Sequence, residues 1–384
     1  MTYVFVFLGE FGVELLNWQG VVRKLRPTLA ENDRVVCCSR ASLYPLYETC
    51  DVYLDIADVP RFRQSRAMAY FALPGPGSSW DSPAARRFDR ALKADLRRYI
   101  LEALAQRPDF ARNDEIRFVF SSDKTIINGL TFGRSRHGPV GVILATVFEQ
   151  LRKTFPASVD RLERIKRHFY ALFPSWNRNR EADIYELLDL ENNHFVRIEP
   201  DFGILPIVRN RLGFDLDEPF LLCQARQRAT GQRSPDRLPW PAIWQLLQTL
   251  ADEINVVLLG FDTGRWLDSY SAFAPVTAAR PRVHHYACRS FPEQAILVHF
   301  ARHCLFFTEG DFGSHIYVPP LLGKDVTALA PASVYELGTT PIAFWNEHVF
   351  RFGGQIIARQ AEDVFASTET GNAFAAELRA RCRG

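Results

Sequence analysis

No excess of either charge runs through this sequence. Its 46 lysines and arginines face 44 aspartates and glutamates, a net charge of +2. That leaves no broad basic surface of the kind nucleic-acid binding needs, so no nucleic-acid partner is expected. No apolar run approaches the ~18 residues of a membrane span. The apolar start, MTYVFVFLGEFG, has no basic stretch before it and meets Glu10 too early for a signal peptide. A soluble, cytoplasmic chain is expected, with work at the inner-membrane surface left open.

Cysteine pairs of the C-x-x-C type are also missing. The seven cysteines (37, 38, 50, 223, 288, 304 and 382) are odd in number. They read as reduced, mostly buried thiols, which excludes a disulfide framework and a zinc site. Cys37 and Cys38 read as strand neighbours pointing to opposite faces. Lysine is scarce, at positions 24, 93, 124, 153, 166 and 324 alone. The positive charge is therefore nearly all arginine. Either a genomic base bias or forked recognition of phosphate and carboxylate accounts for that. H-E-x-x-H, G-x-S-x-G and the P-loop are absent too.

What is present is a globular pattern, 47% hydrophobic over 384 residues, a length that suggests two domains. Short apolar runs alternate with helical periodicity. Residues 3–8 read as a strand covered on both faces, followed by a helix from Val13 to Leu25. Strands follow at 34–38 and 52–56, with a short helix near 41–49 between them. Such alternation predicts a parallel sheet with right-handed crossovers. Residues 57–82, with ALPGPGSSW, read as a long loop. A basic amphipathic helix is predicted over 84–106, a strand at 116–120 and helix over 140–173. The segment 174–217 reads as polar and irregular apart from HFVRI (194–198), and holds the domain junction. Beyond it, strands are predicted at 220–225, 255–260, 282–287, 303–310 and 325–330. Helices fall at 241–253 and 291–301, from 311–323, and over 360–381. The expectation is an α/β protein of two Rossmann-like domains, 1–205 and 206–384.

In such sheets ligands bind beyond the carboxyl ends of strands, so residues directly after strands matter most. After the first strand comes GEFGVELLNWQG (9–20). Gly9 and Gly12 allow a tight turn and close approach of a ligand. Glu10, between them, can take a proton from a substrate hydroxyl. The plain alternative is a helix cap worth ~0.3–1 kcal/mol. Glu14 reads as a solvated helix residue. After the strand that opens the second half comes QARQRATGQR (224–233). Gln224, Arg226, Arg228 and Arg233 there suit a pyrophosphate, or form a solvated basic loop. TEGDFGSHIY (308–317) is the sharpest motif. Glu309 and Asp311 can hold sugar hydroxyls. Backbone N–H groups of Gly313, Ser314 and His315 can meet an anion at a helix start. A capped βα loop is the plain alternative.

Gly260 and Asp262 are weaker donor candidates, beside a plain loop reading. Asn128, in the loop 123–138, is placed to touch an acceptor. His284 and His285 read as structural strand residues. D-L-D at 215–217 reads as turn chemistry, so no metal site is expected.

These motifs resemble the GT-B class of glycosyltransferases, with closest likeness to bacterial heptosyltransferase-like enzymes of lipopolysaccharide and polysaccharide assembly. Glu10 stands where those enzymes carry an early carboxylate base. Asp311, Gly313, Ser314 and His315 stand in a late donor-binding loop, one residue off its usual spacing. The first turn also resembles the G-x-x-G loop of GDP-fucose-dependent enzymes. The resemblance implies two domains facing a cleft and a metal-independent transfer with no cofactor. It implies a nucleotide-sugar donor in the second half and a glycan or glycolipid acceptor on the first. A nucleotide-sugar 2-epimerase shares the architecture. A non-catalytic binding partner of an assembly complex is the rival from another class.

Overall fold

The computed structural model describes residues 1–8, 14–40, 42–64, 83–110, 115–121, 197–226, 237–261, 273, 276, 281–309, 314–337, 342, 346–347, 350 and 353–383. The chain divides into two compact units. One is Met1–Cys38, Thr49–Leu54 and Asp58–Phe195; the other is Ser39–Glu48, Asp55–Ala57 and Val196–Gly384.

The first unit carries the strands β1 (Thr2–Val6), β2 (Arg34–Ser39), β3 (Val52–Asp55) and β4 (Ile116–Phe120) in the order β3-β2-β1-β4. β1 pairs in parallel with β2 and β4, setting Val4 opposite both Val36 and Phe118. Its apolar run is explained by burial, since Val4, Phe5 and Val6 are all inaccessible. The helix expected from Val13 opens as a π turn over Glu14–Trp18 and continues as α1 (Gln19–Leu25). Between β2 and β3 the expected helix is a 3-10 turn, Tyr44–Tyr47. The stretch read as one loop over 57–82 contains α2 (Pro60–Gln64). α3 (Pro83–Ala105) follows as predicted, and Arg61 ties α2 to Asp95 of α3 at 2.7 Å. The helical stretch expected over 140–173 lies outside the described residues.

The long stretch of the second unit, from Val196, opens with a 3-10 turn, Phe202–Ile204, and α4 (Leu205–Leu212), inside the segment read as irregular. Gly213 ends it in the left-handed region, at φ 83°, where glycine meets no Cβ clash. Of HFVRI (194–198), set apart in the sequence from the irregular segment, the described residues 197–198 carry no regular structure. Asp215 makes the expected turn, accepting from the Asp217 amide at 3.1 Å. Then come β5 (Phe220–Arg226), α5 (Trp240–Ala251), β6 (Asn255–Phe261), β7 (Val283–Cys288), α6 (Phe291–Phe300) and β8 (His303–Thr308). After these lie α7 (Val318–Leu321), β9 (Val326–Ala330), α8 (Ala332–Leu337), β10 (Ile356–Gln360), α9 (Ala361–Val364) and α10 (Thr368–Arg383). The six strands run parallel in the order β10-β9-β8-β5-β6-β7.

β10 has no counterpart in the sequence reading. Gly354 lets it dock, because a Cβ there would stand 2.5 Å from the Lys324 amide nitrogen. Asn346 meets Ile356 twice. Its Nδ2 donates to the Ile356 carbonyl at 2.9 Å, and its Oδ1 accepts from the Ile356 amide at 2.8 Å. The single terminal helix expected over 360–381 is broken between α9 and α10, where Ser367 Oγ accepts from the Thr370 amide.

One face of β5 sends Leu221, Cys223 and Ala225 into a core with Leu247 of α5 and Leu378 of α10. The other face meets α6, which is buried from Phe291 to Val298. All seven cysteines are free thiols, six of them buried. His284 bonds Asn255 at 3.2 Å, the structural role expected of it.

At the opposite end of β8, His303 Nε2 lies 2.8 Å from Thr327 Oγ1 on β9. Burial lowers its pKa to about 4, with the Arg381 charge adding and Glu377 opposing. The unfolded chain then binds a proton between pH ~6.5 and ~4 that the folded chain refuses. Stability should therefore fall as the pH drops through that window, by roughly 3 kcal/mol in total from this group. Denaturant titrations at pH 7, 5.5 and 4 should show the fall shrinking by that amount in His303→Gln. Parallel curves for the two proteins would refute it.

Candidate active site

The strand orders define where ligands can bind. In the first sheet the chain runs from β1 outward to β3, then returns to the other side of β1 as β4. In the second it runs from β5 outward to β7, then returns beside β5 as β8. At such a reversal, the loops leaving the two neighbouring strands diverge and open a crevice beyond their carboxyl ends. The reversals fall between β1 and β4 and between β5 and β8.

The candidate residues follow these four strands. Gly9, Glu10 and Gly12 come after β1, and Asn128 after β4. Arg228 and Arg233 come after β5, and Asp311 and Gly313 after β8. All of these, and Asp262 after β6, lie outside the described residues. Arg226 is the last residue of β5 and stands in register with Thr308, the last of β8. Both strands thus end at one level.

Gln224 sits two residues below that edge and is fully buried. Its Oε1 accepts from Gln294 Nε2 of α6 at 3.1 Å. That bond fixes the amide orientation and leaves Nε2 pointing its N–H groups away from Gln294. Nε2 has no partner. An unmet buried donor costs about 1–3 kcal/mol, which an oxygen of a bound ligand would recover.

Glu309, directly after β8, is held differently from the sequence expectation of a sugar contact. It is 2% exposed. Oε1 accepts from the Leu238 amide and from Trp240 Nε1, each at 3.0 Å, and Oε2 meets Arg237 at 3.2 Å. The carboxylate therefore binds the chain where α5 begins. Trp240 is held from the other side by Phe273 and Phe307, at ring distances of 6.1 and 5.9 Å.

His315 is also turned inward. It is 3% exposed, with its ring stacked on Phe306 at 5.7 Å and 18°. Strand alternation explains this, since Phe306 and Gln224 are register partners on one face. The helix expected to open near Ser314 is a 3-10 turn, Ser314–Tyr317, followed by the single turn of α7. Pro319 and Pro320 confine α7 to that turn, so its dipole is small. Gly260 is not in a loop; it lies within β6, paired with Ala287.

In the first unit, Glu14 corrects the expectation of a solvated residue. It is fully buried. Trp18, at the end of its π turn, packs on Phe5 and Phe7 at ring distances of 6.2 and 6.0 Å, which sets this turn against the sheet. Nearby, Leu8 N donates to Ser121 Oγ at 2.7 Å, tying the ends of β1 and β4 together.

Three residues of this region escape sequence reasoning: Arg237, Trp240 and Gln294. Gln294 had a usable signal, a glutamine inside the otherwise apolar FPEQAILVHF. Trp240 stands between two prolines, the mark of a fixed helix start. Among the described residues no three His, Cys, Asp or Glu side chains converge as a metal site would, and no helix is long and apolar enough to cross a membrane.

No family model and no curated protein matches the chain. Among solved structures it is similar to a family 9 glycosyl transferase from Veillonella parvula, at 12% identity and TM-score 0.46, over 97% of this chain and 88% of that one. It is similar to the E. coli heptosyltransferase WaaC with ADP, at 11% identity and TM-score 0.46, over 99% of each chain. It is also similar to UDP-GlcNAc 2-epimerase from Neisseria meningitidis bound to UDP-GlcNAc, at 11% identity and TM-score 0.39, over 100% of this chain and 94% of that one.

Proposed function

We propose that this chain is a glycosyltransferase that moves a sugar from a nucleotide-sugar donor to a glycan or glycolipid acceptor, with no metal or other cofactor. The observation that carries the reading is the strand order. Of the five post-strand segments singled out in the sequence, after β1, β4, β5, β6 and β8, four follow the strands that flank the two reversals. The open Nε2 of Gln224 beneath the β5–β8 edge supports a donor in the second unit. In an inverting transfer the acceptor hydroxyl oxygen bonds to the anomeric carbon as the carbon–phosphate oxygen bond breaks. Glu10 takes the hydroxyl proton, and the nucleoside diphosphate leaves. Arg226, Arg228 and Arg233 offset its charge.

The test is a thermal-shift panel of GDP-, UDP-, ADP-, dTDP- and CMP-sugars, followed by turnover assays. A ligand at 100 times its dissociation constant should stabilise by about 2.7 kcal/mol. Nucleotide release should then depend on acceptor and persist in EDTA. Epimerised donor without nucleotide release would make the chain an epimerase. Binding without turnover would make it a binding partner, and no shift with any donor would sink the reading.

A further inference from the structure

We infer that Glu309 is a positioning residue, which fastens the chain returning from β5 to the end of β8 and so sets the shape of the donor crevice. This rests on the donor-site reading above, but its local part stands on contacts alone. Arg226 and Thr308 pair at the top of β5 and β8. From Arg226 the chain leaves the sheet, and it returns through Arg237, Leu238 and Trp240. Glu309 reaches that returning segment with both carboxylate oxygens, across 69 to 72 residues of sequence. Arg226 and the stretch Arg237–Trp240 are thus both fixed to the end of β8: the first by the ladder at Thr308, the second by the carboxylate of Glu309.

The contacts are of unequal weight. Arg237 is 59% exposed, so its ion pair with Glu309 is screened by water and contributes little. The Leu238 amide and the Trp240 indole meet a carboxylate whose side chain is 3% exposed. Bonds to a charged acceptor away from water are the strong class. Trp240 is further wedged against Phe273 and Phe307, which themselves meet at 5.8 Å. Glu309 has one oxygen filled by two donors and the other turned to Arg237. A sugar hydroxyl would have to compete for these bonds, whereas the open donor at this edge is Gln224 Nε2. The division of labour follows: Gln224 faces the ligand, and Glu309 holds the frame.

The variants that separate a frame from a contact are Glu309→Gln, Glu309→Ala and Trp240→Phe, with Leu378→Ala as a control in the core of the same unit. Glutamine keeps one acceptor oxygen for Leu238 and Trp240 and loses only the charge. Two readouts are taken. Amide exchange of peptides covering 237–240 is measured without ligand. Affinity is measured by calorimetry for the nucleotide sugar that most stabilises the parent chain. Glu309→Ala should speed exchange over 237–240 and raise the dissociation constant about tenfold or more. Glu309→Gln should fall between the parent chain and Glu309→Ala on both, since the shared acceptor survives without its charge. Trp240→Phe should weaken binding, with no further loss when added to Glu309→Ala. Leu378→Ala should lower the melting temperature and leave affinity unchanged.

Glu309→Gln as damaging as Glu309→Ala would mean direct contact with the ligand, and would overturn the inference. So would unchanged exchange over 237–240 in Glu309→Ala, or faster exchange with unchanged affinity. A parent chain that binds no nucleotide sugar would instead sink the donor reading, leaving the tether to be decided by exchange.

Discussion

Glu10→Gln should lower turnover by about 10²–10⁴-fold and leave donor affinity near that of the parent chain. Glu10 follows the first strand of a sheet whose order reverses between β1 and β4. In the sequence it stands between Gly9 and Gly12. The next carboxylate along the chain, Glu14, is fully buried. Glu10 is then the remaining acid of this stretch, and the one we propose as the base. Glutamine keeps its shape and removes its basicity. If Glu10 only caps the helix, its loss should cost about 1 kcal/mol of stability and little rate. Melting temperature and turnover measured on the same preparation separate the two. A lowered melting temperature with near-normal turnover would leave the catalytic role without support.

Arg211→Ala should destabilise the second unit by about 3–5 kcal/mol, the cost of stranding one partner of a buried pair. Arg211 projects from α4 to Glu293 Oε2 at 2.7 Å and lies over the Tyr286 ring at 4.7 Å. It also donates to the Ala287 carbonyl. Glu293 is 6% exposed, and without Arg211 the partners left to its charge among the described residues are the Tyr286 hydroxyl and the Arg289 amide. Burial and the Glu293 charge push the Tyr286 hydroxyl pKa upward, so it remains a donor throughout the accessible pH range. Replacing both charges by apolar residues of similar volume should restore much of the loss, because a buried pair gains little over good packing. Denaturant unfolding of Arg211→Ala, and of Arg211→Met with Glu293→Leu, measures both. A loss below about 1 kcal/mol in the single variant would show the pair to be solvated.

Local patterning explains most of the strands. Runs such as FLLCQA and NVVLLG are apolar because both faces are covered, and that signal survives in any window. Strand order is not local. Nothing in the sequence of β5 says that β8 returns to its side, yet that return is what groups the loops after β5 and β8. β10 was missed because IIARQ is short, alternating and partly charged, unlike the buried strands. The break before α10 was available in the Ser367–Thr370 spacing.

The site divides in the same way. Gln224 reads in the sequence as one of a polar group with Arg226, Arg228 and Arg233, whereas its full burial and its bond to Gln294 depend on a helix 70 residues away. Glu309 and His315 were noticed for their type, but their orientation depends on residues far away in sequence. Glu309 is claimed by Arg237, Leu238 and Trp240, and His315 by Phe306. Glu14 was misread because helical periodicity assumes an α turn, whereas the chain begins with a π turn.

Asn346 has a consequence at the outer rim of the second sheet. A rim strand normally presents free N–H and C=O groups, a template on which another chain can grow. At Ile356 both groups are already taken by the one side-chain amide of Asn346, which imitates the peptide of a seventh strand for a single residue. Three residues on, Arg359 is held by Glu377 of α10, placing paired charge beside the same rim. An incoming strand would have to displace the first and bury the second. The sheet therefore stops at six strands by occupation as well as by length, and this rim is guarded against the edge-to-edge stacking from which fibrous aggregates grow.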